Sequence, residues 1–541
     1  MQGTFNDLFA TALRELGVEV MFGVMGDANM YIADSFHRSP GGRFVASANE
    51  SGAVLMAAGY AAVTDGLGVA TVTHGAIANC VSALFDAVRG NYPVVVIAGN
   101  TSRKEGRHVQ SIPQQDVVAP TGAEYRRMRA PETAAEDLAA AIRFALSYRR
   151  PVVLDIPSDF QQAECERMVM PRTLSLGVGV ANPSRDSLEE AAGVIMGSNR
   201  PLVVAGRGAR HAEKAVAAVA QRIGAPVATT LRGKGLFTTD PFNLGIFGML
   251  ANPVCSEVIA RSDCLVVLGA SLSAHSTLKG ELLEGKRVVQ IDDDPGSIGR
   301  YYQPDVGLIG DAEFTATMLI DLFDEVQAPI SPFRSDSLAE KMSQYHQTDR
   351  RSTVDDSGDL TLTGMLHRIN EMVPGRRTLS IDGGRFAMEA LRVLAVENPV
   401  DFAYCLNVGH IGLSIGYGIG AAIALPEVPA VVVCGDGGFM LGGLTEFNTA
   451  VRYQADLKVF LFNDGAYGAE YYRFVNQDFD PINTTFDWPS FSEIANTLGG
   501  RGIRVTSWTD LAKVTEELDI PGPLLVEIML DTDSIPDPGA H

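Results

Sequence analysis

The sequence predicts an α/β protein: three doubly wound units with mostly parallel sheets. Three observations predict it. Short apolar runs alternate with helical patterns from end to end. The 541 residues suffice for about three domains of ordinary size. Two polar stretches, Met170–Arg185 and Pro329–Asp359, divide the chain, giving expected units at 1–170, 186–330 and 360–541.

In the first unit, Val18–Val24, Phe44–Ala48, Gly68–Thr73, Pro93–Gly99 and Pro151–Ile156 read as strands. Ser51–Val63 is rich in Ala and Gly and apolar nearly all round, the pattern of a buried helix. The second unit has strands at Pro201–Ala205, Ala225–Ala228, Cys264–Leu268 and Arg287–Ile291. Its Gly206-Arg207-Gly208-Ala209 lacks the full dinucleotide fingerprint and is a weak nucleotide signal. The third unit has strands at Thr378–Ile381, Ala430–Cys434, Lys458–Phe462 and Leu524–Met529.

Composition is that of a globular protein, with 46% hydrophobic and 20% charged residues. A net charge of −22 argues against a nucleic-acid partner. Six cysteines show no CxxC pairing and several lie in apolar runs, which suits a reducing, cytoplasmic setting. The N-terminal stretch is an amphipathic helix with charges throughout, unlike a signal peptide or a membrane span.

The chemistry concentrates between Ala430 and Glu470. The strand Ala430–Cys434 runs into Gly435-Asp436-Gly437-Gly438, and the next strand ends in Asn463-Asp464-Gly465. Both loops would lie at the carboxyl edge of a parallel sheet, where open α/β folds bind ligands. Asp436 and Asp464 offer hard oxygens, and the glycines let backbone N–H groups approach an anion. That combination suits Mg²⁺ shared with a diphosphate. Taken alone, a Gly-rich turn after a strand could be no more than a turn; the paired Asn-Asp-Gly one crossover later favours a site.

The segment resembles the signature of thiamine-diphosphate enzymes: Gly-Asp-Gly, then two dozen or more residues, then Asn-Asn. This chain departs by carrying Asp464 where the second Asn stands, and by looking one residue longer within Leu441–Glu446. Asn463 and Asp464 lie 27 and 28 residues beyond Asp436, so spacing allows either as the metal ligand. The downstream Gly465-Ala466-Tyr467-Gly468 matches the family better with Asp464 in that place, which makes the Ala466 carbonyl a third ligand. Gly435, Gly437, Gly438 and Tyr467 are then implied to cradle the cofactor. The three units resemble, in order, the pyrimidine-binding, middle and diphosphate-binding domains of 2-oxo acid decarboxylases and acetolactate synthase-like proteins.

Glu50 opens the buried helix of the first unit. By position it is either a helix first-turn charge or an acid in a nearly dry site. The resemblance implies the second, a glutamate hydrogen-bonded to the aminopyrimidine ring of the cofactor. Gly409-His410-Ile411-Gly412 resembles the segment whose large apolar residue bends the cofactor; without the glycines Ile411 would read as ordinary core. Asp382-Gly383-Gly384 lies at another carboxyl edge and is expected to line the same crevice.

Gly26-Asp27-Ala28-Asn29 resembles an active-site motif of the decarboxylases, and Glu470, six residues beyond Asp464, matches a second acid of those enzymes. The loop Gly106-Arg107-His108-Val109-Gln110 has one His where they carry two. Gln110 and Gln114 look more like the acetolactate synthase branch, as does Thr73-His74-Gly75. Each of Asp27, His74, His108, Gln110 and Glu470 could instead be a solvated loop residue.

The resemblance implies thiamine diphosphate with Mg²⁺. It implies non-oxidative decarboxylation of a 2-oxo acid or related carbonyl compound through an enamine. An acetolactate synthase-like carboligase is the alternative. A flavin-containing 2-oxo acid oxidase or a non-catalytic nucleotide-binding homologue comes after it; FAD has no strong motif in the middle unit. The family implies a homo-oligomer, a dimer of dimers, with Glu50 of one subunit facing the Asp436 domain of another. Neither nucleic acid nor membrane is expected as a partner.

Overall fold

The structure is a computed structural model that describes residues 3–105, 108–165, 168–169, 182–352 and 358–535. Three parallel sheets carry it. The first has the strand order Arg43–Ala46, Val20–Gly23, Gly68–Val72, Val94–Asn100, Val152–Pro157, Glu124–Arg127, parallel throughout. The second runs Asn243–Ile246, Val227–Thr229, Pro201–Ala205, Cys264–Leu268, Arg287–Asp292, Val306–Ile309, also parallel. The third runs Thr378–Ile381, Ala430–Gly435, Leu457–Asn463, Leu524–Met529, Arg501–Val505, again parallel. Central strands such as Val94–Asn100 and Leu457–Asn463 are buried on both faces, so they are continuous apolar runs.

The stretch 329–359, expected as a polar separator, contains the helix Asp336–Ser352. Leu338 and Met342 pack on the second unit, and Lys341 pairs with Glu257 at 3.1 Å. The other expected linker, 170–185, lies mostly outside the described residues.

One apolar cluster is continuous from the first sheet to the third, joining Phe22, Val54 and Val96 to Tyr417, Val432 and Leu457. At its centre the helix Glu50–Thr64 lies against the helix Ser414–Ala424. Glycines allow that approach. A Cβ on Gly59 would stand 2.2 Å from the Tyr417 carbonyl oxygen, and one on Gly420 would stand 2.0 Å from that of Met56. The two helices start from Glu50 and from the Gly409–Gly412 turn, so their packing fixes both site segments relative to one core.

Candidate active site: a carboxylate pair and a histidine cluster

The strand Ala430–Gly435 ends at Asp436, whose side chain is 2% exposed. Asp436 Oδ1 accepts from the Gly437 amide at 2.7 Å. Oδ2 is buried with no hydrogen-bond partner among the described residues. The Trp488 indole faces this carboxylate without hydrogen-bond geometry, and its N–H is unpartnered too. Burial pushes Asp436 up to about 6, against the pull of the Gly437, Gly465 and Ala466 amides and the indole.

Asp464 follows the strand Leu457–Asn463. Burial first, then the neighbouring Asp436 charge, pushes it up to about 7, while Arg385 opposes the rise. Arg385 is nearly buried and stands over Tyr472 at 4.5 Å; it donates to the backbone carbonyls of Thr532 and Ile535. Buried Asp436, with its orphaned oxygen, and the half-buried Asp464 whose carboxyl it presses upward make a donor pair suited to a cation.

Asn463 points elsewhere. Its Nδ2 donates to Glu527 Oε1 at 2.9 Å and its Oδ1 accepts from the Gly465 amide at 3.2 Å. Adjacent residues at a strand end take opposite faces, so only one of the pair can join Asp436. The structure brings Asp464 to it and leaves Asn463 in the packing of the sheet. Among the described residues no three His, Cys, Asp or Glu side chains gather as a metal cage. A cation held by Asp436 and Asp464 would complete its shell from backbone and ligand oxygens, as Mg²⁺ commonly does.

The glycine cradle is tight. A Cβ on Gly437 would meet the Tyr467 ring at 2.5 Å, and one on Gly438 would meet Asp382 Oδ2 at 2.8 Å. Gly435 stands against Phe386, and Tyr467 is held by Phe486, ring centroids 4.7 Å apart. Ala466 is 4% exposed, bridged to Thr485.

Asp382 clamps the neighbouring turn. It accepts from the Gly383 amide at 2.9 Å, the Gly412 amide at 2.9 Å and Ser414 Oγ at 3.1 Å. Burial raises it to about 6 despite these donors. Gly409 and Gly412 have φ of +72° and +85°, values that favour glycine. Ile411 therefore stands on a turn held at both ends, with Gly383 beneath it: a Cβ there would be 3.0 Å from Ile411 Cγ2. His410 is exposed and its Nδ1 pairs with Ser82 Oγ of the first unit.

The segment Leu441–Glu446, which looks one residue longer than the family pattern, begins inside a wide turn. Phe439–Gly443 winds as a π turn between Asp436–Gly438 and the α-helix Leu444–Tyr453. A Cβ on Gly442 would be 2.1 Å from the Gly412 carbonyl, so the wide turn rests directly on the Ile411 segment.

In the first unit, Glu50 begins the helix Glu50–Thr64 and is partly buried. Its Oε2 accepts from Asn79 Nδ2 at 2.9 Å. Asn49 caps the helix by accepting from the Gly52 amide at 2.7 Å. The buried Glu446 reaches from the third unit and accepts from the Ala48 and Asn49 amides at 3.1 and 3.0 Å. Among the described residues Glu50 makes no hydrogen bond or ion pair to Asp436 or Asp464.

Asp27, His74 and His108 come together. His74 is 4% exposed, and its Nδ1 lies 3.4 Å from Asp27 Oδ1 and 3.1 Å from Thr73 Oγ1. Its φ is +35°, strained for a residue with a Cβ. The His108 ring stacks on it, and His108 Nδ1 accepts from the Gln110 amide at 3.2 Å. The Gln110 side chain is exposed. Buried Gln114 fixes the His74 backbone by donating to its carbonyl at 3.1 Å. Burial lowers the His74 pKa, with Asp27 opposing and His108 assisting. The two stacked histidines thus come from separate loops. Gly106 and Arg107 lie outside the described residues. Glu470 is exposed on the first turn of the helix Gly468–Asn476, with no hydrogen bond or ion pair to the histidine cluster among the described residues.

Sequence reasoning missed Arg385, Trp488 and Glu446. Arg385 follows Asp382-Gly383-Gly384 directly and was within reach of that motif. Trp488 and Glu446 act across the fold and carry no local signal.

Carboxylates at a glycine-lined sheet edge of a parallel α/β fold mark a crevice of the kind that binds anionic cofactors. Three family models match consecutive segments. They are the N-terminal TPP binding domain of thiamine pyrophosphate enzymes over residues 3–119, the central domain over 188–319, and the C-terminal TPP binding domain over 382–528. The chain belongs to the thiamine pyrophosphate enzymes. It is 26% identical to YdaP of Bacillus subtilis, named as a thiamine pyrophosphate-containing protein, over 99% of this chain and 93% of that one. It is 28% identical to the acetolactate synthase of Mycobacterium leprae, covering 97% and 86%. It is 27% identical to the sulfoacetaldehyde acetyltransferase of Alcaligenes xylosoxydans xylosoxydans, covering 95% and 90%.

Proposed function

We propose that this thiamine pyrophosphate enzyme cleaves a 2-oxo acid by non-oxidative decarboxylation, and that Asp436 and Asp464 are the residues that would hold its Mg²⁺. The bond between the carboxylate and the carbonyl carbon breaks, CO₂ leaves, and a proton is added at the former carbonyl carbon to give an aldehyde. The observation that carries this reading is the Asp27–His74–His108 cluster, in which buried His74, at a strained φ, lies between an exposed carboxylate and a second imidazole and could relay a proton.

When bound, thiamine diphosphate supplies the nucleophilic carbon and the electron sink for this bond breaking. The protein's part is binding, orientation and proton handling. Asp436, Asp464 and the Ala466 carbonyl would hold the cation; Gly437, Gly438 and the clamp of Asp382 would shape the diphosphate crevice; Ile411 would prop the ring system. Glu50 keeps Oε2 on Asn79, and its Oε1 would be left to share a proton with a ring nitrogen of the cofactor. Neutral His74 takes a proton at Nε2 and returns it, with Asp27 steadying the cation that forms.

A second reading, carboligation, has two supports: acetolactate synthases among the relatives, and the exposed Glu470 standing apart from Asp27. The family's shared-site arrangement leads us to infer a homo-oligomer in which a second copy brings its third unit to Glu50. Six free, buried cysteines suit a cytoplasmic protein; among the described residues no helix is long and apolar enough to cross a membrane.

The test is turnover of a panel of 2-oxo acids with thiamine diphosphate and Mg²⁺, scoring CO₂, aldehyde and acyloin. Aldehyde should dominate. Asp27→Asn and His74→Asn should lose aldehyde release more than first-turnover CO₂. Chiefly acyloin or acetolactate-type products, with both variants at full turnover, would establish the carboligase instead.

A further inference from the structure

The motif Gly206-Arg207-Gly208-Ala209 of the second unit takes no part in the site above. Its glycines are pinned: a Cβ on Gly206 would be 2.3 Å from the Gly269 carbonyl, and one on Gly208 would be 2.6 Å from Gly269 Cα. Arg207 is therefore the side chain this turn can project. It projects into a cavity of about 180 Å³ where all three units meet. Arg149 comes from the first unit, Arg207, Arg210 and Arg232 from the second, and the wall 399–402 from the third.

The charges do not balance. The lining holds four guanidinium groups and one carboxylate, Asp65. Asp65 is already committed to Arg210, at 2.7 Å, and to His211, at 2.8 Å. Arg149 reaches Asp293 only at 3.6 Å. Among the described residues Arg207 and Arg232 have no carboxylate partner. Each gives one nitrogen to backbone: Arg207 Nη1 to the Gly90 carbonyl at 2.7 Å, and Arg232 Nη2 to the same oxygen at 2.9 Å. Arg232 otherwise lies on the faces of Tyr92 and Tyr404, 5.3 and 5.7 Å away.

We propose that this cavity binds a small inorganic oxyanion of the phosphate class, held by Arg149, Arg207 and Arg232 at the junction of the three units. Planar guanidinium forks match tetrahedral oxyanions, and the half-buried Arg207 and Arg232, lacking a carboxylate partner among the described residues, gain from one. Burial, and the positive neighbours Arg232, Arg210 and Arg149, press the Arg207 pKa well below its usual value, with Tyr92 opposing; an anion would relieve that pressure. The cavity is smaller than the 300–1,000 Å³ usual for drug-sized ligands, so it suits a lone anion and not a dinucleotide. An anion bound there ties the units together, so occupancy should stiffen the whole chain.

The experiment is calorimetric titration of inorganic phosphate into enzyme saturated with thiamine diphosphate and Mg²⁺, which keeps the diphosphate crevice filled, with thermal unfolding in parallel. We expect one phosphate per chain and a higher unfolding temperature. Affinity should fall about tenfold or more in Arg207→Gln and in Arg149→Gln. Sulfate should compete; chloride should not. The Arg149 side chain stands at the rim, 38% exposed, and makes no hydrogen bond among the described residues, so Arg149→Gln should fold normally even if Arg207→Gln does not. Absence of binding heat at millimolar phosphate would overturn the proposal. Unchanged affinity in Arg149→Gln would do the same.

Discussion

His74 and His108 stack with ring centroids 5.1 Å apart and planes 16° from parallel, although they lie on separate loops. Burial lowers the His74 pKa, the Asp27 charge raises it, and the His108 charge lowers it. The folded protein thus favours the neutral ring. As pH falls below about 6.5 the unfolded chain takes up the proton first, so this contribution to stability is present above that pH and is lost below it. In an NMR titration His74 should titrate below the ordinary imidazole value. Asp27→Asn should lower it further, and His108→Ala should raise it. A His74 pKa indifferent to Asp27→Asn would break the cluster.

Asn463 and Asp464 should separate by kind of defect. Asp464→Ala should abolish Mg²⁺-dependent thiamine diphosphate binding and leave the melting temperature of the cofactor-free protein level or raised, because a half-buried carboxylate has gone. Asn463→Ala should keep cofactor affinity but lose roughly 1–3 kcal/mol of stability, since Glu527 forfeits a donor inside the sheet. Calorimetry paired with denaturant unfolding reads both.

Glu50→Gln preserves shape and the Asn79 contact but cannot take up a proton. Cofactor should still bind, while exchange of its acidic ring proton in deuterated water slows by about two orders of magnitude or more. An unchanged rate would remove Glu50 from the chemistry.

Glu446→Ala should act on the first unit from the third. The Ala48 and Asn49 amides would lose their acceptor. Stability should drop by about 1–3 kcal/mol, and hydrogen exchange at those two amides should quicken ahead of the rest of the helix Glu50–Thr64.

The fold was legible where burial made strands apolar. In the three large sheets the strands that escaped the sequence reading, Glu124–Arg127, Asn243–Ile246, Val306–Ile309 and Arg501–Val505, are all sheet edges. An edge strand has one partner and one wet side, so Glu-Tyr-Arg-Arg or Arg-Gly-Ile-Arg-Val serves there without an apolar signature. The helix Asp336–Ser352 was hidden by its polarity, with little more than Leu338 and Met342 to anchor it. The carboxylate loops were legible because motif and chemistry are local. Spacing left Asn463 and Asp464 equivalent; only strand alternation and Glu527, remote in sequence, separate them. The pairing of His74 with His108 is a tertiary fact, and neither loop alone encodes it.

The π turn at Phe439–Gly443 works as a slip joint. Ordinary α winding advances about 100° per residue, so one extra residue wound that way would swing everything after it a quarter-turn or more. Glu446 would then leave the Ala48 and Asn49 amides, and the entrance to the Glu50 helix would lose its anchor. Because the surplus is absorbed in one wide turn, chain length and helix phase are decoupled here.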